Sequence, residues 1–311
     1  MLIIDAQRTR ELLPFEHLVP ALEQAFQNEV EVPLRHNHPI NPDSAAPGSV
    51  LLMPAWNRDF FGIKTVTIYP NNAALGVPGL HSTYMLHDAR TGAPLALIDG
   101  NEITSRRTAA ASALAASYLS RTDSASLLVV GAGRVASLLA YAYRSVRPIQ
   151  RVWVWDINLA QAARLVDQLR LDGFDASVAE DLQSACAQAD IVTCATLSTE
   201  PLIRRAWLKP GMHLDLIGGF TPQMRESDDD CFGDTDVFVD TDEAAMKAGD
   251  LLSPMQNGVL ARSAIRANLA SLCRKRHAGR ADDRQITVFK AVGTALEDLA
   301  AAQLVYVHVT Q

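Results

Sequence analysis

Cysteine is sparse in this chain. Cys186, Cys194, Cys231 and Cys273 are the only four in 311 residues. None forms a C-x-x-C pair and no histidine stands at zinc-ligand spacing from them, so neither a structural zinc site nor a redox dithiol is expected. Such usage suits a reducing compartment, where isolated cysteines act as small apolar residues. Clustered Lys and Arg are missing as well. The formal net charge is -7 and the pI about 5.6, so the concentrated basic footprint that nucleic acid or an anionic membrane demands is absent. No stretch approaches 18 uncharged apolar residues, which excludes a bilayer-spanning helix. The apolar start of the chain is interrupted by Asp5 and Arg8, so no signal peptide is expected and the cytoplasm is the expected location. Internal repeats and low-complexity linkers are also lacking.

What remains is a globular composition, 48% hydrophobic and 20% charged, over a length that suits about two domains. An amphipathic helix is expected around Phe15 to Gln27, then a proline-rich loop from His36 to Gly48. Val50 to Met53, Phe61 to Tyr69, Tyr84 to His87 and Pro94 to Ile98 read as strands, the second rich in β-branched and aromatic residues. Thr104 is expected to cap an alanine-rich helix from Arg106 to Leu119. Beyond Asp123 short apolar strands alternate with helices: Leu127 to Val130, Val152 to Trp155, Ile191 to Thr193 and His213 to Ile217 are the strands. That alternation predicts a parallel sheet with helices on both faces. A final strand end near Thr287 and a helix from Ala291 to Gln303 are expected to return to the first domain.

Gly131-Ala132-Gly133-Arg134-Val135-Ala136 follows one of these strands and opens a helix. Gly131 permits the tight turn, Gly133 lets the backbone approach a pyrophosphate, and Ala136 allows close packing of helix on strand. The helix start then offers N–H groups and partial positive charge to the phosphates. Asp156 ends the next strand, 23 residues beyond Gly133, where a carboxylate accepts hydrogen bonds from the adenosine ribose and repels a 2′-phosphate. Neither Ile157 nor Asn158 is cationic, so NADH is expected ahead of NADPH. A turn that binds nothing is the bland alternative.

Two cations stand out. Lys64 shares one strand face with Gly62, Val66 and Ile68, and an ammonium on an apolar face must be paired or reach water. It could orient a carboxylate or donate a proton; an edge-strand lysine snorkelling to solvent explains the spacing equally well. Arg106 and Arg107 fall in the expected first helical turn, where cations oppose the macrodipole. One of them gripping a substrate carboxylate would account for that, as would a salt bridge to Glu102 or Asp99. Arg35 reads as an exposed loop residue, His81 and His87 as packed or solvated histidines, and Asp228-Asp229-Asp230 as a solvated helix start.

Taken jointly, several motifs resemble the ornithine cyclodeaminase/μ-crystallin family along nearly the whole chain. They are Asp99-Gly100-Asn101-Glu102-Ile103-Thr104-Ser105-Arg106-Arg107-Thr108-Ala109-Ala110, the Gly131 turn, Thr199-Glu200-Pro201-Leu202, Lys209-Pro210-Gly211-Met212-His213 and Val288-Phe289-Lys290-Ala291-Val292-Gly293. The resemblance implies a Rossmann-type doubly wound α/β domain, residues 122–286. It would be inserted into a mixed α+β substrate and dimerisation domain, residues 1–121 plus 287–311. It further implies a homodimer with its active site in the interdomain cleft. Carried over by motif, Lys64 and Arg107 become the catalytic and substrate-binding pair, Arg35 a further substrate contact, and Lys290 a cofactor contact beside Gly131, Gly133, Arg134, Val135 and Asp156. Family members that cyclise ornithine carry an aspartate directly after the Gly-Gly or Gly-Ala pair ending the last central strand. Here Ile217-Gly218-Gly219-Phe220-Thr221 places Phe220 there, and a phenyl ring cannot accept a proton. Asp215 does not align with that acid. The pattern is similar to the μ-crystallin-like ketimine reductases, with Phe220 walling the substrate ring and Thr221 beside the nicotinamide. Ornithine cyclodeamination, an alanine-dehydrogenase-like reaction and a non-catalytic crystallin-like binder are the alternatives.

Overall fold

The computed structural model describes residues 1–44 and 46–310. Contacts divide the chain into two compact units, one of residues 1–107 with 294–311 and one of residues 108–293.

In the first unit, strand β1 (Leu2–Ile4) and helices α1 (Ala6–Leu12) and α2 (Phe15–Gln27) precede β2 (His36–Ile40), β3 (Gly48–Trp56), β4 (Phe60–Ile68), β5 (Leu80–Asp88) and β6 (Pro94–Asp99). They form one six-stranded sheet in the order β1-β6-β5-β4-β3-β2, antiparallel except for the β1–β6 pair. Its buried face is read from the alternation in β4, where Gly62, Lys64 and Val66 are buried and their neighbours are less so. The C-terminal helix, Ala295–Thr310, packs on α2 and on β3, β4 and β5. Its first half, residues 295–302, is buried on every side, Glu297 and Asp298 included.

Helix α3 (Gly100–Leu119) contributes its first two turns to this unit and the remainder to the other. It starts earlier than the expected cap at Thr104. The Asp99 carboxylate accepts the Glu102 N–H at 2.8 Å and caps the helix, so Arg106 and Arg107 lie in its second turn and the helix dipole does not oppose them.

The second unit holds β7 (Ser126–Val130), α4 (Ala136–Arg144), β8 (Arg151–Trp155), α5 (Leu159–Leu171), β9 (Asp175–Val178), α6 (Leu182–Gln188), β10 (Ile191–Cys194) and β11 (His213–Leu216). Then come β12 (Asp236–Val239), α7 (Ala244–Lys247), α8 (Gly249–Gln256), β13 (Ile265–Asn268), α9 (Leu269–Cys273) and β14 (Thr287–Lys290). Its eight strands are all parallel, in the order β13-β12-β14-β11-β10-β7-β8-β9. The central strands are buried along their whole length, which is why they read as continuous apolar runs. The order reverses between β7 and β10. In doubly wound sheets ligands bind beyond the C-terminal ends of strands at such a reversal.

Three further features depart from the sequence expectation. His36 to Ile40 is an edge strand rather than a loop; four of its five residues are exposed, so no alternation marks it, and Pro39 is tolerated at an edge. The last helix begins at Ala295, not Ala291. The buried Asp240 carboxylate accepts the N–H groups of Val292 (2.7 Å) and Gly293 (2.6 Å) and holds that stretch as a loop. The unit boundaries, 107/108 and 293/294, differ from the expected 121/122 and 286/287. Strand β14 pairs with β11 and β12 and so belongs to the parallel sheet. The later turns of α3 are tied there as well, Ser112 donating to Asp215 and Arg147 to the carbonyls of Ala116 and Ser117.

Candidate active site

Lys64 sits in an interior strand with 2% of its surface exposed, so it does not snorkel from an edge. Its Nζ lies 2.7 Å from Oδ2 of Asp298. Arg107 reaches the same carboxylate, Nε to Oδ1 at 2.9 Å, while its Nη1 meets Oε2 of Glu297 at 2.6 Å. The expected alternatives for Arg107, Glu102 and Asp99, are engaged elsewhere: Glu102 pairs with Arg10 and Asp99 caps α3. Arg106 is the structural member of the pair, donating to the Leu13 carbonyl at 2.7 Å and lying over the Phe15 ring.

Two cations and two carboxylates are thus buried together. Ionic groups in such surroundings persist only when paired, and their titration records the balance. Burial pulls Lys64 from its ordinary 10.5 down to about 8, with Asp298 opposing the shift and Arg107 adding to it. Burial also disfavours the Arg107 cation and the Asp298 anion. In both cases the opposite charges win, holding Arg107 above and Asp298 below its usual range. The result is an ammonium that can give up a proton near neutrality, fixed beside a guanidinium that cannot.

In the second unit the Gly131 turn follows β7 at the point where the strand order reverses. Gly131 has φ +108°, and a Cβ there would lie 2.8 Å from the Ala195 carbonyl oxygen at the end of β10. Only glycine fits. Around Gly133 a Cβ would meet nothing within 4 Å, leaving the open approach a pyrophosphate needs. The Asp156 carboxylate accepts the Ala132 N–H (2.7 Å) through one oxygen and the Asn158 N–H (2.7 Å) through the other. It is thereby fixed against the turn, and each oxygen retains a lone pair for a ribose hydroxyl. Ile157 and Arg134 are exposed and Val135 is half-buried. These residues fit a dinucleotide.

After β11 comes the Gly218-Gly219-Phe220-Thr221 turn. A Cβ on Gly218 would fall 1.8 Å from the Thr196 carbonyl oxygen, and one on Gly219 would fall 2.2 Å from Asp250. Glu226 braces it from below, accepting from the Gly218 N–H (2.7 Å), the Thr196 N–H (2.7 Å) and the Thr196 hydroxyl (2.8 Å). Burial pushes the Glu226 carboxyl up. Asp250 accepts from the backbone N–H groups of Glu226 and Ser227 and from Lys290 Nζ at 3.0 Å. Lys290, expected as a cofactor contact, is wholly buried in this ion pair. It supports the turn from within. Phe220 is 45% exposed and Thr221 half-buried. Asp215 is enclosed by the hydroxyls of Ser112, Thr193 and Tyr143 and is no substitute for the acid absent at position 220. Arg35 is half-buried, one residue before β2.

Sequence reading missed Glu297, Asp298, Glu226 and Asp250. For the first two a signal existed: adjacent acids in Ala295-Leu296-Glu297-Asp298-Leu299-Ala300-Ala301, an otherwise apolar helical run, require buried cations. The others lie in segments without comparable contrast.

A family model for the ornithine cyclodeaminase/mu-crystallin family matches residues 2–311. A Δ1-pyrroline-2-carboxylate reductase of Colwellia psychrerythraea is 37% identical over 312 residues, 98% of each chain. The structure of the Thermococcus litoralis Δ1-pyrroline-2-carboxylate reductase, in complex with NADH and L-proline, superposes with a TM-score of 0.93 at 32% identity, covering 100% of this chain and 98% of that one. An archaeal alanine dehydrogenase dimer with bound NAD superposes at 0.92 with 28% identity, covering 100% and 96%.

Proposed function

Because the chain belongs to the ornithine cyclodeaminase/μ-crystallin family, we propose that it reduces a cyclic ketimine carboxylate to the cyclic amino acid. The substrates are Δ1-pyrroline-2-carboxylate and Δ1-piperideine-2-carboxylate, and the reductant is NAD(P)H, with NADH preferred. Relatives from Colwellia and Thermococcus carry the first of these activities in their names, and the latter was solved with NADH and L-proline. The observation that carries the reading is the convergence of Lys64 and Arg107 on one buried carboxylate, Asp298.

Each residue has a task. Arg107 engages Glu297 and Asp298 through Nη1 and Nε, and its Nη2 edge binds the substrate carboxylate; Arg35 is a second contact. Orientation of this kind supplies much of the rate in such reactions. Lys64 delivers a proton to the ring nitrogen, which turns the imine carbon into a strong hydride acceptor. The bound nicotinamide supplies the hydride. One hydride and one proton are added across C=N, and Lys64 recovers its proton from solvent. Asp298 keeps the ammonium charged and in place. Gly131, Gly133, Arg134, Val135 and Asp156 hold the dinucleotide, Asp156 through the ribose hydroxyls, with Ile157 and Asn158 offering no cation to a 2′-phosphate. Phe220 walls the ring and Thr221 lies at the nicotinamide edge. The chain acts as a homodimer in the cytoplasm; among the described residues no helix is long and apolar enough to cross a membrane.

The test compares three reactions. NADH consumption with Δ1-pyrroline-2-carboxylate, matched by proline formed, is the expected result. Ammonia release from ornithine without net change in NADH marks a cyclodeaminase. NADH consumption with pyruvate and ammonia marks an alanine-dehydrogenase-like enzyme, a reading the archaeal structure favours. Turnover of ornithine without turnover of the imine refutes the proposal.

A further inference from the structure

We propose that the phenol of Tyr84 is a further substrate-binding group, donating a hydrogen bond to the ketimine carboxylate beside Arg107. The inference rests on the reductase reading of the Lys64–Arg107 site. Tyr84 and Lys64 face each other directly across the β4–β5 pair, and opposed residues of an antiparallel pair project to the same side. Tyr84 is fully buried on that side. Its ring leans over Gly62, two residues from Lys64 on the same face. A Cβ at position 62 would fall 2.0 Å from the Tyr84 hydroxyl oxygen, so the ring occupies space that only glycine leaves.

The hydroxyl has no hydrogen-bond partner among the described residues. A buried hydroxyl without a partner is a cost that a phenylalanine in the same place would avoid. Packing therefore explains the ring and leaves the oxygen without a structural use. Its chemistry selects the ligand atom. Burial, reinforced by the Asp298 charge, holds the phenol well above its ordinary range, so it remains a neutral donor at every working pH. A permanent donor seeks an anion. The protonated imine nitrogen is itself a donor and already has Lys64 beside it. The substrate carboxylate has about four lone-pair sites; with Nε and Nη1 committed to Asp298 and Glu297, Arg107 offers it one edge, and beside Arg35 a site remains for the phenol.

The experiment uses Tyr84→Phe, which removes one oxygen and keeps the ring. Pyrrole-2-carboxylate is the probe, since it is planar, carries the carboxylate and accepts no hydride. Its Kd on the NADH-loaded enzyme is measured by calorimetry, alongside kcat and KM for Δ1-pyrroline-2-carboxylate and the Tm. The Kd and KM should each rise about ten-fold or more, as for a hydrogen bond to a charged group. The kcat should stay within about two-fold, NADH affinity should be unchanged, and Tm should be equal or higher. A Kd and KM indistinguishable from those of the native enzyme overturn the inference. So does a lower Tm, which would assign the hydroxyl a structural bond. Failure of the native enzyme to reduce the imine or bind the probe refutes the reductase reading itself, an outcome separate from an active enzyme indifferent to Tyr84→Phe.

Discussion

Asp298→Asn tests the electrostatic design of the site. The substitution preserves shape and removes one negative charge from a buried group in which Lys64 and Arg107 balance Asp298 and Glu297. Coulomb's law at an effective dielectric of about 20 gives roughly 6 kcal/mol for unit charges at the 2.7 Å separation of Lys64 and Asp298. Relaxation and water reduce that figure. A quarter of it surviving still amounts to about one pKa unit, since a unit is worth about 1.36 kcal/mol. Lys64 stands at about 8 because burial lowers it and Asp298 opposes the fall; without that carboxylate it must drop further. On the proposed mechanism the protonated lysine is the active form, so kcat/KM for the imine in the native enzyme should fall as pH rises through about 8. In Asp298→Asn that basic limb should move to lower pH by at least about one unit. The variant would then be near normal in mild acid and depressed about ten-fold or more at pH 8. It should also lose about 3–5 kcal/mol of stability, the usual result of leaving a buried ion without its partner, read from denaturant midpoints. A uniform loss of activity with an unmoved pH profile would show that Asp298 only holds the fold, and would refute the reasoning.

Arg107→Ala should lower kcat/KM for the imine by about 2–4 kcal/mol, chiefly through KM, as expected for a charge-assisted anchor. Steady-state kinetics at saturating NADH decide this, and an unchanged KM would assign the carboxylate to another residue. Asp156→Ala should weaken NADH more than NADPH in fluorescence titrations, because it removes the ribose acceptor and the repulsion of a 2′-phosphate together; equal losses would remove Asp156 from the cofactor site. Gly218→Ala drives a methyl to within 1.8 Å of the Thr196 carbonyl oxygen. It should reduce thermal stability by about 1–3 kcal/mol as the Glu226 bonds to this turn distort, and a variant melting like the native protein would show the turn to be pliable.

The parts legible in the sequence are those where one residue type has a single physical explanation. The Gly131 turn announces itself because positive φ and close approach to Ala195 leave glycine alone. Lys64 is conspicuous because an ammonium interrupts the buried face of a strand. Arg107 was noticed for a reason the structure removes: α3 begins six residues before Arg106, so neither arginine opposes the dipole. Its real signal is the pair of acids in the C-terminal helix, 190 residues away, and sequence spacing says nothing about contacts of that range. Tyr84 was invisible for the opposite reason, a tyrosine being an ordinary strand residue until its hydroxyl is found without a partner. Lys290 was assigned by its motif to the cofactor. Its burial on Asp250 shows that a motif can mark the support of a site as readily as its surface.

Charge balance joins these residues into one argument about substrate. Lys64, Arg107, Asp298 and Glu297 set two cationic against two carboxylate side chains, and uncompensated charge in such surroundings is costly. The ketimine carboxylate takes its ring proton from Lys64 and so enters as an anion, and the one negative charge it adds is met by Arg35, the second carboxylate contact of the proposed site. Ornithine carries an additional ammonium and would leave the site positive unless a further acid met it. By the resemblance of motifs, Phe220 stands where ornithine-cyclising relatives carry that acid, and Asp215 is enclosed by three hydroxyls and raised by burial to about 6. Phe220→Asp should therefore improve the binding of ornithine relative to proline, measured as the ratio of their inhibition constants against the imine. A ratio that does not move would mean that the ornithine ammonium finds its counter-charge elsewhere, and the argument from neutrality would fail with it.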